Sequence, residues 1–276
     1  MADPQVQVGG GGTADQDDVE MQGGDEAAEV VEVGETVGEE GDAAEEDKPA
    51  QRVTFIDYLK SPMIELLIGS GADQTLLMAH KALLTKSPFF TQKLASAETK
   101  RIELSEDDLD AMSCFLEYLY TGEYFPHKLP NNSLQVDPAL PKLDESGAQL
   151  LKHAKVYTLA EKLEMPALKS LSHSKIHLIN STAPAELTYA RYVYSHTTRD
   201  DHTIRKPVAS FWGQRSHVLR HQTEGTFRQM CMDFPEFAFD VLSFVLDAEE
   251  KRAQRKGGGG PDDDVGKSAR KRARGQ

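Results

Sequence analysis

The chain has 276 residues, a formal net charge of −14 at pH 7 and a mean hydropathy of −0.50. Residues 1–50 hold 16 acidic groups against Lys48, residues 251–276 hold nine basic groups against three aspartates, and the middle is left near −5. A net-acidic middle repels a phosphate backbone, which argues against non-specific nucleic-acid binding there, and no run of about 18 apolar residues offers a membrane span.

Residues 1–50 are rich in Gly, Ala, Glu and Asp and contain no aromatic residue. Such a segment cannot bury enough apolar surface to offset its chain entropy, and it reads as a disordered acidic tail. It is either an interaction tail or a solubilising one. Order is expected from Val53. "FIDYL" reads as one short helical turn that stops before Pro62. "MIELLIG", Met63 to Gly69, is an apolar run bounded by Pro and Gly, as a buried strand would be. "GSGADQ" is turn chemistry, and "TLLMA" after it completes a hairpin.

The stretch "AHKALLTKSPFF" starts a helix and breaks it at Ser87-Pro88. Ser is a preferred N-cap and Pro is tolerated at the first helical position, so the chain ends one short helix and caps another. Phe89, Phe90 and Leu94 then anchor the second helix. "RIELS", Arg101 to Ser105, alternates as a third strand. A strong helix follows, with Ser105 as the expected cap and Asp107 and Asp108 in its first turn, favoured there by the helix dipole. Leu109, Met112, Phe115, Leu116, Leu119 and Tyr120 fall on one face, and Gly122 closes the helix. Residues 126–147 are proline-rich and aperiodic, a loop insertion. A second strong helix from Ala148 breaks near Pro166 and resumes. Residues 182–248 hold three further helical patterns, around "ELTYARYVYSHT", "IRKPVASFWGQRSHVL" and "FPEFAFDVLSFVLD". "GGGGPDDD" ends the folded part.

"MAHKALLTKSPFFTQKL", "RIELSEDDLDAMSCFLEYLYTGEY" and "LLKHAKVYTLAEKLEMPALKSL" together resemble a BTB/POZ domain over about residues 53–180. The insertion and "ARYVYSHT" resemble the short BTB proteins abundant in filamentous fungi. The resemblance implies an α+β fold, with a small sheet of short strands packed on a helical bundle and a helical C-terminal extension. It divides the chain into a tail over 1–50, a BTB/POZ domain over 51–180, the extension over 181–250 and a basic tail over 251–276. It makes His80, in the His-Lys pair with Lys81, a packing and hydrogen-bonding residue at a strand–helix junction. It also implies dimerisation through the helix ahead of the core, here Phe55, Tyr58 and Leu59. That helix is short and no swapped strand precedes it, so a weak homodimer is expected. Family members that bind a cullin often carry an apolar-x-Glu motif before the third strand. The corresponding surface here is Leu94, Ser96, Glu98 and Tyr124, with Ser96 at the apolar position.

Other chemistry is sparse. Cys114 and Cys231 sit in apolar runs and read as free thiols, consistent with a reducing intracellular compartment. Asn131 and Asn180 head formal glycosylation motifs that such a compartment leaves unread. His173/His177 and His217/His221 are spaced i, i+4, but Ser174 and Val218 stand where a zinc protease needs Glu, and a third ligand would have to come from afar. Trp212 reads as core. Lys267, Arg270, Lys271, Arg272 and Arg274 form a basic cluster that reads as a nuclear import signal.

The resulting expectation is a non-catalytic protein–protein interaction module with no cofactor or metal. Its partners would be itself and other proteins, in the nucleus, the cytoplasm or both. The alternatives are a substrate adaptor of a cullin-based ubiquitin ligase, a nuclear transcription or chromatin scaffold, and, least favoured, a metal-dependent enzyme built on the histidine pairs.

Overall fold

The computed structural model describes residues 53–257. The chain divides after Lys60 into two units. In the first, α1 (Phe55–Leu59) is capped by Thr54 and Asp57, whose side chain and backbone groups bond reciprocally. The second unit begins at Ser61. Its strands are β1 (Met63–Ile68), β2 (Thr75–His80) and β3 (Arg101–Leu104), in the order β2-β1-β3. β1 and β2 form the expected antiparallel hairpin, joined by a 3-10 turn at Gly71–Asp73, and β3 runs parallel to β1. Alternation decides the faces: Ile64, Leu66, Ile68, Ala79, Ile102 and Leu104 are buried.

The corner at Ser87-Pro88 is built as its chemistry predicts. α2 (Lys81–Leu84) ends there, and α3 (Pro88–Lys93) starts with Pro88 at its first position. The Ser87 hydroxyl accepts the Phe90 N–H at 3.4 Å and donates to the Leu163 carbonyl at 2.7 Å. It therefore fastens the corner to the far end of α5 (Ala148–Lys162) as well as capping α3. Phe90 and Leu94 are buried and Phe89 is half-buried.

α4 (Leu109–Thr121) begins later than its sequence suggests. The cap is Asp108, whose carboxylate accepts the Ala111 N–H at 3.0 Å, and not Ser105. A carboxylate at the cap also answers the helix dipole, and Lys155 of α5 pairs with it at 2.6 Å. Gly122 closes the helix at φ 82°, a conformation that costs glycine nothing. Leu109, placed on the apolar face by periodicity, is exposed.

The 126–147 segment has no helix or named strand, only isolated bridges, between Lys128 and Leu134 and between Asp144 and Ser181. It closes at Asp144, which is 2% exposed. The Asp144 carboxylate accepts the N–H groups of Gly147, Gln149 and Leu150 at 2.8–3.0 Å and so caps α5. Its backbone pairs with Asn180 and Thr182 beyond α6 (Pro166–Ile176).

α7 (Ala183–His196), α8 (His202–Asp233) and α9 (Pro235–Gly257) complete the unit. One apolar cluster runs from Leu150, Tyr157 and Ile176 through Tyr189 and Val193 to Trp212, Phe237 and Val241, so these helices continue the core of α5 and α6. Trp212 is fully buried among Phe227 and Phe237, as expected, and its Nε1–H has no hydrogen-bond partner there. Arg205 is buried and bonds the Thr197 carbonyl at 2.5 Å and Glu236 at 2.7 Å, holding α8 to the start of α9. Cys114 is buried, and burial pushes its thiol up to about 11; Cys231 is half-buried.

Candidate functional site

His80 ends β2 and caps α2. Its backbone N–H donates to the Tyr120 hydroxyl at 3.1 Å, and its Nδ1 lies 2.7 Å from the same oxygen. One hydroxyl on α4 thus fixes both the backbone and the ring of His80, an architectural role.

Leu94 and Tyr124 do not form a surface, which corrects the expectation for a cullin-facing patch. Leu94 is 3% exposed at the end of α3, and Tyr124 is 0% exposed. Of that set, Ser96 and Glu98 alone stand exposed, in the loop before β3, where the Glu98 N–H donates to the Ser96 hydroxyl at 3.4 Å.

Tyr124 instead belongs to a buried polar knot. The Lys175 side chain of α6 is completely covered and pairs with Glu123 at 2.6 Å. Its Nζ donates to the backbone carbonyls of Tyr124 and Pro126 and lies 3.6 Å from the Tyr124 ring centroid. The Tyr124 hydroxyl is 2.9 Å from His153 Nδ1. Burial pushes the Tyr124 hydroxyl up, and burial together with the Lys175 charge drives His153 down to about 3. Burial also lowers Lys175, against the opposing pull of Glu123. Burial would raise Glu123, but Lys175 and the Tyr124 N–H hold its carboxyl below the usual range. Among the described residues no buried side-chain nitrogen or oxygen of the knot lacks a hydrogen-bond partner. The knot fixes the chain where α4 leads into the loop.

The histidine pairs stay pairs. His173 and His177 bring their Nε2 atoms within 3.2 Å, and burial lowers both. His217 and His221 are exposed on α8. Among the described residues no three His, Cys, Asp or Glu side chains converge as a metal site, so the distant third ligand does not arrive. The basic cluster Lys267, Arg270, Lys271, Arg272 and Arg274 lies outside the described residues, as does the acidic tail.

What remains is exposed apolar surface. On α1, Phe55 is 52% and Leu59 42% exposed, with Tyr58 half-buried. On the sheet, Met63, Leu76 and Met78 face outward. On α9, Phe239, Leu242 and Leu246 form an exposed stripe beside a groove of about 650 Å³, lined by Arg199, Lys206, Glu236, Phe239 and Asp247. Large contiguous apolar patches mark contact sites, whereas single exposed apolar side chains are ordinary.

Residues 64–179 match the family model for the BTB/POZ domain. These residues form a BTB/POZ domain. It has the α+β architecture read from the sequence: a small mixed sheet with many helices. BTB/POZ domains are protein–protein interaction modules and are generally non-catalytic. No curated protein matches the chain significantly. Among the described residues no helix is long and apolar enough to cross a membrane.

Sequence reasoning missed the Lys175–Glu123–Tyr124–His153 knot and Asp144 altogether. Lys175 follows three polar residues in "SHSK", and nothing local marks it as buried.

Proposed function

We propose that the chain is a non-catalytic scaffold that self-associates weakly through Phe55, Tyr58 and Leu59 of α1 and docks other proteins on its BTB/POZ domain. The exposure of Phe55 and Leu59 carries this reading, because two large apolar side chains left in water on one turn gain by being covered. A five-residue helix gives an interface below the standard size of about 800 Å² per partner, with its strength concentrated in aromatic anchors. The proposed dimer is therefore concentration-dependent, with dissociation near the micromolar range. Sedimentation equilibrium on the full chain tests it. Self-association should weaken in the Phe55→Asp/Leu59→Asp variant while the fold is kept, because charge then enters the apolar α1 contact. A chain that stays monomeric at high concentration, or a variant that unfolds, would overturn the dimer.

Service as a cullin adaptor is the second reading. Glu98, exposed before β3, supports it, and the polar Ser96 beside it makes the proposed contact weak or absent. Nuclear import through Lys267, Arg270, Lys271, Arg272 and Arg274 is proposed from composition. Deleting residues 266–276 from a fluorescent fusion should shift it toward the cytoplasm.

A further inference from the structure

The direction of each main-chain group in β2 follows from β1. Glu65 and Gly69 donate toward β3, to the Lys100 and Leu104 carbonyls at 2.8 and 3.1 Å. Successive residues of a strand point to opposite sides in the sheet plane. Ile64, Leu66 and Ile68 therefore bond β2, and their partners Ala79, Leu77 and Thr75 bond back. The main-chain groups of Leu76, Met78 and His80 point away from the sheet. The His80 N–H is taken by the Tyr120 hydroxyl. Among the described residues Leu76 and Met78 have no such partner.

Native sheets blunt their edges with short strands, charge, proline or bulges. The opposite edge, β3, is four residues long and carries Arg101 and Glu103. β2 is six residues long, reads "TLLMAH", and has no acidic or basic residue apart from the His80 that Tyr120 holds. Leu76 and Met78 are 47% and 52% exposed.

We propose that β2 is a self-association edge, pairing antiparallel with β2 of a second copy about a two-fold axis through Leu77. This register sets Leu76 opposite the partner's Met78, and Met78 opposite the partner's Leu76. All four positions present outward N–H and C=O groups, so both pairs are of the hydrogen-bonded kind and every free main-chain group on the edge is used. The same register gathers the four Leu and Met side chains on one face, and no charge on either strand repels its copy. A shift of one residue would set outward groups against inward ones. A shift of two would draw in His80, already bonded, or run past Thr75 to Gln74. Self-complementarity in a single register is what favours a second copy over an unrelated extended peptide. The contact is small against the standard interface of about 800 Å² per partner, so it is weak by itself and adds to other contacts. It rests on the reading of the chain as an interaction module and needs nothing from α1.

The test is amide hydrogen exchange on the full chain at low and high protein concentration. Pairing slows exchange at Leu76 and Met78 by roughly tenfold or more as concentration rises, and leaves Leu77, already bonded to β1, nearly unchanged. The Leu76→Lys/Met78→Lys variant loses this slowing with unchanged circular dichroism. The Phe55→Asp/Leu59→Asp variant keeps it. Exchange at Leu76 and Met78 that is independent of concentration overturns the proposal, and the wild-type series decides this without any variant. A chain that dimerises through α1 alone gives that result and leaves the proposed function standing. Slowing that persists in the double-lysine variant, or that requires an added extended peptide, also overturns it.

Discussion

Lys175 holds its ammonium 3.6 Å from the ring centroid of Tyr124 and at the same time donates to the carbonyl of that residue. A covered cation survives because an aromatic face, two carbonyls and the Glu123 carboxylate together replace its water. Removing one member should cost far more than an exposed ion pair is worth. Glu123→Ala is expected to lower stability by about 3 kcal/mol, since it strands a buried charge. Lys175→Met, which removes the charge itself, should cost less. Urea denaturation of both variants checks the order; equal losses would mean that volume, and not charge, governs the knot.

His153 gives the fold a pH dependence whose sign can be worked out. In the unfolded chain it titrates at its ordinary 6.5, and in the folded chain burial and Lys175 hold it near 3. Below 6.5 the unfolded state takes up a proton that the folded state refuses. The stability is therefore complete above 6.5 and is lost as pH falls toward 3, with about 2 kcal/mol gone near pH 5. His153→Gln keeps a hydrogen-bonding side chain without the titration. Its melting temperature should fall less steeply between these pH values, and parallel curves would remove His153 as the cause.

The double tie between Tyr120 and His80 predicts a modest, specific loss. Tyr120→Phe removes one hydroxyl that serves both the His80 backbone and ring, at a cost of about 1 kcal/mol. The His80 amide should then exchange faster, while amides inside α4 keep their rates.

Two glycines on α8 should respond with opposite signs to one substitution. A Cβ on Gly213 would lie 2.6 Å from the Phe244 ring, so Gly213→Ala forces α8 from α9 and is expected to cost about 1 kcal/mol net of its helix-propensity gain. Gly225 has open space around it, and Gly225→Ala should stabilise by about 0.5–1 kcal/mol. Thermal melts of the pair read the difference directly.

The loop before β3 yields a graded expectation. If a cullin binds there at all, Ser96→Met should strengthen binding about tenfold or more, since a buried apolar anchor contributes about 1.5–3 kcal/mol. Nanomolar binding by the unaltered chain would show that Ser96 does not occupy the apolar position.

Legibility in the sequence followed the range of the interactions. Ser87-Pro88, Gly122 and the alternation of "MIELLI" are local signals, and each produced the element its chemistry dictates. The start of α4 differs from the sequence reading because Ser105 is a preferred cap by type, whereas the Asp108 carboxylate takes the Ala111 N–H and pairs with Lys155, 47 positions away. A likeness of motif places Tyr124 and Leu94 on the surface, yet burial is set by tertiary packing, which brings His153 of α5 and Lys175 of α6 onto Tyr124. The knot is invisible locally for the same reason: its Lys175 and Glu123 are 52 positions apart. A spacing of i, i+4 supplies two ligands and only the tertiary fold can supply a third; among the described residues neither histidine pair gains one.

The segment between Pro126 and Gly147 is pinned at both ends, by Lys175 on the first carbonyls and by Asp144 across the mouth of α5. Between these anchors the segment meets the helices it joins through side-chain contacts such as His127 with Glu117 and Gln149 with the Pro141 carbonyl. Extra chain there spends only loop entropy, about 0.6 kcal/mol for each doubling of length. The exposed tip at Asn131 and Asn132 is thus a natural port, where an epitope or fluorophore can be spliced in to follow this protein while its edges and faces keep their native contacts.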